Sequence, residues 1–336
     1  MNKIKVLLLP QHARNTNGGG ILRYCQELTK LFVNDENIDI QLIENLPYFH
    51  KFWGAVYDKH ELEKVIIDSK CDIVHINGFA TLGVAQAIKA AKSLGKKVVL
   101  TPHWHPFWAL KHKFLGKWFF NLIIKPQLKN HVDGLITFNK EDTHFFNSLN
   151  YNVNKIPHWM MIGYDNSALR NRKKNMILFV GGRLNESNKG AEYFYRLPEG
   201  KYDIHFVGIG NVPYRNDITI HSNISDKELF DLYKQTSLVV VPSRYESFSY
   251  VTLEALSFGS PVVISDRVRI GDYLIDCPMC KIFKYGDYND FVKSVENQIS
   301  VNLPIRNYLK PFLPSEAKKK YMDLYSKIIN KDIYNI

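Results

Sequence analysis

The most constraining feature of this chain is an alternation that runs, stops and starts again. Short runs, apolar almost throughout, fit strands at Ile4–Leu9, Ile38–Ile43, Asp72–Ile76, Lys97–Thr101, Gly134–Phe138 and Val153–Ile156. Segments of helical spacing separate them at 21–33, 59–68, 80–93 and 140–149, the first marked by Ile21, Tyr24, Cys25, Leu28, Leu31 and Phe32. Strands that read as nearly continuous apolar runs are those of parallel sheets covered on both faces. The pattern breaks near residue 165, where Asn166–Asn175 is polar, basic and without periodicity, as a linker would be. It then restarts with strands at Met176–Val180, Asp203–Val207, Ile218–Ile220, Leu238–Val241 and Pro261–Ser265, and helices at 226–235, 249–258 and 287–299.

Strands joined through helices are βαβ units. The expected fold class is therefore α/β, with two doubly wound, Rossmann-like domains facing across a cleft. The expected domains are 1–165, 166–314, and a terminal helix over 315–336 that packs back towards the first. Its stripe is Ala317, Tyr321, Leu324, Tyr325 and Ile328. In such sheets ligands bind beyond the carboxyl ends of the strands, where strand order reverses. Functional residues should then follow strands.

Composition narrows the class. With 336 residues, 45% hydrophobic and 23% charged, the chain has the makeup of an ordinary globular protein and excludes collagen-like, disordered and disulfide-scaffold types. No apolar run reaches the roughly 18 residues of a spanning helix. The apolar stretch Val6–Leu9 is too short for a secretory leader, so a cytoplasmic location is expected. Cys25, Cys71 and the lone Cys277-Pro-Met-Cys280 read as buried thiols rather than a zinc or redox site. A net charge of +11 calls for an anionic partner, yet no nucleic-acid-binding motif accompanies it. Twenty Phe, 19 Tyr and five Trp tilt that partner towards a membrane surface or a sugar.

The chemistry concentrates in Pro242-Ser-Arg-Tyr-Glu246-Ser-Phe-Ser-Tyr-Val-Thr-Leu-Glu254. A buried strand ends, a loop carries Glu246, and a helix opening near Ser249 carries Glu254; the helix start suits a phosphate and each carboxylate suits paired hydroxyls. Arg183 and Lys189 follow another strand, beside Gly182 and Gly190, where fixed cations can neutralise a leaving diphosphate. The sequence holds no Asp-x-Asp pair to carry a metal on such a group. Asn17-Gly-Gly-Gly20 precedes the first helix and lets backbone approach a phosphate; Arg23 is either a further contact or a surface residue. Pro102-His103-Trp-His105 follows a third strand.

Together these segments resemble the Glu-x7-Glu signature of retaining glycosyltransferases of family 4, which have the two-domain GT-B fold. Ile177-Leu-Phe-Val-Gly-Gly-Arg183 with Lys189-Gly190, Phe206-Val-Gly-Ile-Gly210, His221–Leu229 and Lys320–Tyr325 are similar to the family's other segments. The resemblance implies that Glu254 grips the nucleotide ribose and Glu246 contacts the donor sugar, with Arg183 and Lys189 on the diphosphate. It also implies that Gly19 and Gly20 lie at that diphosphate and Gly182 beside it. Ser247, Phe248 and Ser249 would offer backbone N–H groups to sugar hydroxyls. His103, with His105 as the alternative, would stand near the sugar as a positioning group rather than a base. The chain departs from the family at Pro157-His-Trp-Met-Met161, at Ser247 and Ser249 where glycines are usual, and in the longer Arg183–Lys189 spacing.

The implied activity is a metal-independent, retaining hexosyltransferase without cofactor, its donor a UDP-sugar or secondly a GDP-sugar. Its acceptor would be a lipid-linked or cell-surface glycan precursor, as in lipopolysaccharide or capsule synthesis. A sugar-nucleotide epimerase on the same fold and a non-catalytic sugar-nucleotide or nucleic-acid binder are the alternatives. Two aromatic and basic segments suggest a peripheral anionic membrane contact: 48–53, and 107–125 with Trp108, Phe114, Trp118, Phe119, Lys111, Lys113, Lys117 and Lys125. The opposing reading of 107–125 is a core helix with its lysines in water.

Overall fold

The computed structural model describes residues 3–11, 20–51, 54–78, 81–103, 118, 120–161, 163–164 and 172–330. The chain forms two compact units, Met1–His158 with Pro314–Ile336, and Trp159–Leu313. The division at His158/Trp159 falls a few residues before the expected boundary at 165/166. Trp159 and Met160 are buried in the second unit, where the Met160 N–H donates to the Phe312 carbonyl at 2.7 Å. Of the expected linker, Lys173 already bonds the Gln235 carbonyl of that unit at 2.8 Å.

The first unit is built on β1 (Ile4–Pro10), β2 (Ile38–Leu42), β5 (Ile73–Asn77), β6 (Lys97–Thr101), β7 (Gly134–Thr137) and β8 (Val153–Lys155). These form a parallel sheet in the order β2-β1-β5-β6-β7-β8. A short antiparallel hairpin, β3 (Tyr48–Lys51) with β4 (Gly54–Tyr57), lies outside it. The helices are α1 (Gly20–Leu31), α2 (Lys59–Asp68), α3 (Leu82–Ser93), α4 (Lys125–His131) and α5 (Lys140–Asn147). Every residue of β5 is buried, because helices cover both faces of the sheet. Asp58, Thr81 and Asn139 start α2, α3 and α5 by accepting a first-turn N–H, as N-caps do.

The second unit repeats the plan with β9 (Met176–Arg183), β10 (Asp203–Ile209), β11 (Ile218–His221), β12 (Leu238–Val241), β13 (Val262–Ser265) and β14 (Cys280–Phe283). The order is β11-β10-β9-β12-β13-β14, again parallel throughout. Its helices are α6 (Asp226–Gln235), α7 (Tyr250–Ser257), α8 (Gly271–Leu274) and α9 (Tyr288–Gln298). Ser225 and Glu228 form a reciprocal capping box on α6. The last helix, α10 (Pro314–Asn330), belongs to the first unit. It buries Ala317, Tyr321, Leu324, Tyr325 and Ile328, and a Cβ at Gly134 would stand 2.8 Å from Ile328 Cδ1. Gly134 is what lets the helix lie that close.

The sequence pattern did not mark the strands β3, β4 and β14 or the helices α4 and α8. The strand β14 has four residues, with Lys281 exposed between buried Cys280 and partly buried Ile282, too short to show a period. The hairpin β3–β4 falls where the aromatic stretch 48–53 drew a chemical reading. Strand order reverses between β1 and β5 in one sheet and between β9 and β12 in the other. Those are the crevices where doubly wound sheets hold ligands.

Candidate functional site

In the second unit the reversal point is built by the ends of β9 and β12. Gly190 has φ +78, and a Cβ there would lie 2.3 Å from the Pro242 carbonyl oxygen. Only glycine permits both the left-handed turn and that approach. The turn is tied to the β12 loop by Arg244 N–H to the Asn188 carbonyl at 2.8 Å and Asn188 Nδ2 to the Tyr245 carbonyl at 3.0 Å. Lys189 is thereby held with Nζ 2.9 Å from Glu246 Oε1. Ser243 Oγ donates to the same oxygen at 2.8 Å, whereas no described residue bonds Glu246 Oε2. The nearby Glu246 carboxylate raises the Lys189 pKa above the usual lysine value, so the ammonium stays charged.

The backbone of Glu246 is clamped from the β13 side. Its N–H donates to the Arg267 carbonyl at 3.1 Å, and its carbonyl accepts from Arg269 N–H at 3.0 Å. Gly182 and Arg183 close β9 as exposed residues, and no described residue pairs with the Arg183 guanidinium. In β10, a Cβ at Gly208 would sit 1.8 Å from the Gly181 carbonyl oxygen, which explains the glycine of Phe206-Val-Gly-Ile-Gly210. The structure thus brings Lys189, Glu246 and Ser243 into one hydrogen-bonded group.

Glu254 lies within α7, 7% exposed, and Tyr233 Oη donates to its Oε2 at 3.0 Å. Trp159, Met160 and Met161 face Tyr250, Leu253, Glu254 and Ser257 across a cavity of about 10 Å³, close to the least that can house one water. The departure Pro157–Met161 thus supplies a wall of this carboxylate's pocket. Ser249 caps α7 by accepting Thr252 N–H at 3.2 Å, so one first-turn donor expected to be open is already engaged. Ser249 holds φ +154, which the glycine usual at this place would adopt freely. Ser247 is partly buried, and the Phe248 ring packs edge-on against Phe312 with centroids 5.7 Å apart.

In the first unit the reversal point is closed by contact. Gln11 N–H donates to the Asn77 carbonyl at 2.6 Å, and a Cβ at Gly78 (φ +133) would meet Gln11 Oε1 at 2.3 Å. His103 follows β6 with φ +63, and its Nε2 lies 3.1 Å from Asn77 Oδ1. The Tyr24 ring stands edge-on to it at 4.7 Å, with Phe138 at 5.2 Å and His158 at 6.3 Å. Burial, helped by His158 and His75, drives its pKa well below the ordinary histidine value. The imidazole is neutral at pH 7 and suits hydrogen bonding. Gly20 opens α1 with open space where a Cβ would stand.

Gly19 and His105 lie outside the described residues, as does most of 107–125. Of that segment, Trp118 is 52% and Leu122 54% exposed, while Phe120 is buried against Phe145. In the hairpin Phe49 is 60% exposed. All four cysteines are buried and free of disulfides. Among the described residues no helix is long and apolar enough to cross a membrane, and no cluster of His, Cys, Asp or Glu has metal-site geometry. Sequence reasoning passed over Ser243, Asn77 and Tyr233. Ser243 sits inside the quoted motif, but its hydroxyl direction needs the fold, and the other two come from distant elements.

Residues 19–142 match the family model described as Glycosyltransferase Family 4, and residues 174–300 the one described as Glycosyl transferases group 1. An uncharacterized glycosyltransferase of Methanocaldococcus jannaschii is 26% identical over 250 residues, 70% of this chain and 68% of the relative. The lipopolysaccharide outer core galactosyltransferase WaaB, in its apo form, superposes with a TM-score of 0.70 at 15% identity over 96% of this chain and 100% of that one. Anabaena Alr3699/HepE in complex with UDP superposes with a TM-score of 0.68 at 12% identity, over 96% and 100%. With a matching family domain in each unit, the chain is a GT-B glycosyltransferase. Neither the epimerase nor the binding-protein alternative is favoured.

Proposed function

We propose that this chain moves a hexose from a nucleotide diphosphate sugar to a hydroxyl acceptor, with retained anomeric configuration and without a metal ion. The observation that carries the reading is the Lys189–Glu246 pair at the reversal point of the second sheet, with Arg183 at the end of the same crevice. Glu246 Oε2 is open to a sugar hydroxyl, and Lys189 has further donor directions for a diphosphate oxygen. In the transfer, the bond from the anomeric carbon to the β-phosphate oxygen breaks. The acceptor oxygen bonds that carbon and gives its proton to the leaving phosphate. Arg183 and Lys189 stabilise the growing charge. Glu254, oriented by Tyr233, binds the ribose hydroxyls, and neutral His103 orients the sugar; Gly19, Gly20, Gly182 and Ser247–Ser249 offer backbone to phosphate and sugar.

A UDP-sugar is the first choice of donor, supported by the similarity to a UDP complex, and a GDP-sugar the second. The acceptor is read as a lipid-linked or cell-surface glycan precursor, in keeping with the similarity to WaaB. The test is a screen of nucleotide sugars for slow hydrolysis without acceptor, in excess chelator, with the product anomer read by NMR. Release of UDP or GDP from one donor is expected. No release from any donor overturns the reading, and loss in chelator restored by Mg²⁺ or Mn²⁺ overturns its metal-free part. Exposed Trp118, Leu122 and Phe49 in a chain of charge +11 support contact with an anionic membrane surface. Co-sedimentation with anionic but not neutral vesicles, weakened by salt, is expected; equal behaviour of both lipids removes the membrane from the account.

A further inference from the structure

A continuous run of buried hydrogen bonds begins and ends on the C-terminal helix α10. Tyr325 Oη lies 2.8 Å from His75 Nδ1, and His75 Nε2 lies 2.7 Å from Thr101 Oγ1. Thr101 bonds the Tyr24 hydroxyl, which in turn meets the Tyr321 hydroxyl. His75, Thr101, Tyr24, Tyr321 and Tyr325 are all fully buried. Each member supplies one proton, so the four links use four of the five protons and each link has a donor and an acceptor. Burial lowers the His75 pKa to about 3, so the imidazole is neutral and lends one donor and one acceptor.

This run touches each element of the first unit that the proposed reaction uses. Asn77, the partner of His103, is two residues beyond His75 on the same strand. His103 itself is two residues beyond Thr101, and the Tyr24 ring lies against it. Tyr24 stands on α1, the helix that Gly20 opens. His103 has a left-handed backbone, a conformation that persists only where the surroundings over-determine it. Docking α10 for stability alone needs no hydroxyls, since Leu324 and Ile328 already pack on Gly134.

We propose that Tyr321 and Tyr325 are positioning residues for the transfer reaction, holding His103 and the start of α1 in place through His75, Thr101 and Tyr24. The inference rests on the role given to His103 under the proposed function. It is tested with the Tyr321→Phe/Tyr325→Phe double variant, the two single variants, and Leu324→Ala as a control that loosens the same helix without touching the run. Four quantities are read: melting temperature, nucleotide affinity, turnover at saturating donor, and the ring ¹⁵N signals of His103. In the double variant turnover should fall about tenfold or more, with nucleotide affinity unchanged and the His103 signals displaced. Leu324→Ala, at an equal or larger loss of melting temperature, should leave turnover and signals alone. Should the double variant not fold, each single variant is read the same way. Wild-type turnover in the folded variants, or an equal loss in Leu324→Ala, overturns the proposal. If the wild-type protein turns over no nucleotide sugar, the glycosyl-transfer reading fails by itself, and the His103 signals still decide the positioning.

Discussion

Glu246 Oε1 already accepts from Lys189 and Ser243, while Glu254 is buried behind Tyr233 and the Trp159–Met161 wall. The two carboxylates should therefore fail differently. Glu254→Ala is expected to weaken free nucleotide by about 1–3 kcal/mol, the worth of a charged hydrogen bond, and calorimetric titration measures it. Glu246→Ala should depress turnover and leave free-nucleotide affinity nearly unchanged; equal loss of affinity in both variants contradicts the division. Ser249 adds a second expectation. Its φ of +154 costs about 1–3 kcal/mol, whereas glycine at an N-cap loses only a few tenths. Ser249→Gly should raise the melting temperature of the second unit by about 2–4 °C, and a lower value would show that the cap outweighs the strain. The departure from glycine was legible in the sequence; its backbone angle was not, because φ depends on how the β12 loop meets α7. The same holds for Tyr233, whose hydroxyl reaches Glu254 from another helix.

At the scale of elements, the loop between β9 and the Ala191–Arg196 turn is set by one glycine. Gly190 and Gly200 share a left-handed backbone, φ +78 and +74, but a Cβ at Gly200 meets open space. Gly200→Ala should cost about 1–2 kcal/mol, the left-handed term alone. Gly190→Ala adds a clash with the Pro242 carbonyl that cannot be relieved by turning a side chain, so it should cost clearly more and displace Lys189 from Glu246. Denaturant titration of both variants checks the order, and equal costs would mean that the β12 loop simply yields. Strands and helices with five or more residues of clean period were legible in the sequence, α2, β6 and α6 to the residue. The hairpin β3–β4 and β14 were not: Tyr48–Lys51 and Cys280–Phe283 are interrupted by His or Lys, unlike the equally short, wholly apolar Leu238–Val241, and four residues are too few to show alternation instead. The Lys189–Glu246 pair was half legible: both residues stood out, but their contact depends on Gly190 meeting Pro242.

For the whole molecule, the sharpest consequence of burial is an unequal response to acid. The first unit encloses His75, His103 and His158, each with its pKa lowered by burial, His75 and His158 to about 3. Unfolded histidine titrates near 6.5. Above that value both states are neutral and the full stability is present. As pH falls through 6.5 towards 3, the unfolded chain binds protons that the folded unit refuses, and stability drains away. At pH 5 a histidine with a folded value of about 3 costs about 2 kcal/mol, so His75 and His158 together cost about 4. The second unit offers His221, lowered in the same direction but only partly buried, so its loss over this window is smaller. Between pH 7 and 5 the first unit, α10 included, should therefore lose more stability than the second. Native-state hydrogen exchange at pH 7, 6 and 5 assigns the loss to one sheet or the other. Protection in β1, β5 and β6 is expected to fall before that in β9, β12 and β13. If the two sheets lose protection in parallel, or the second first, these imidazoles are not held neutral inside the folded unit.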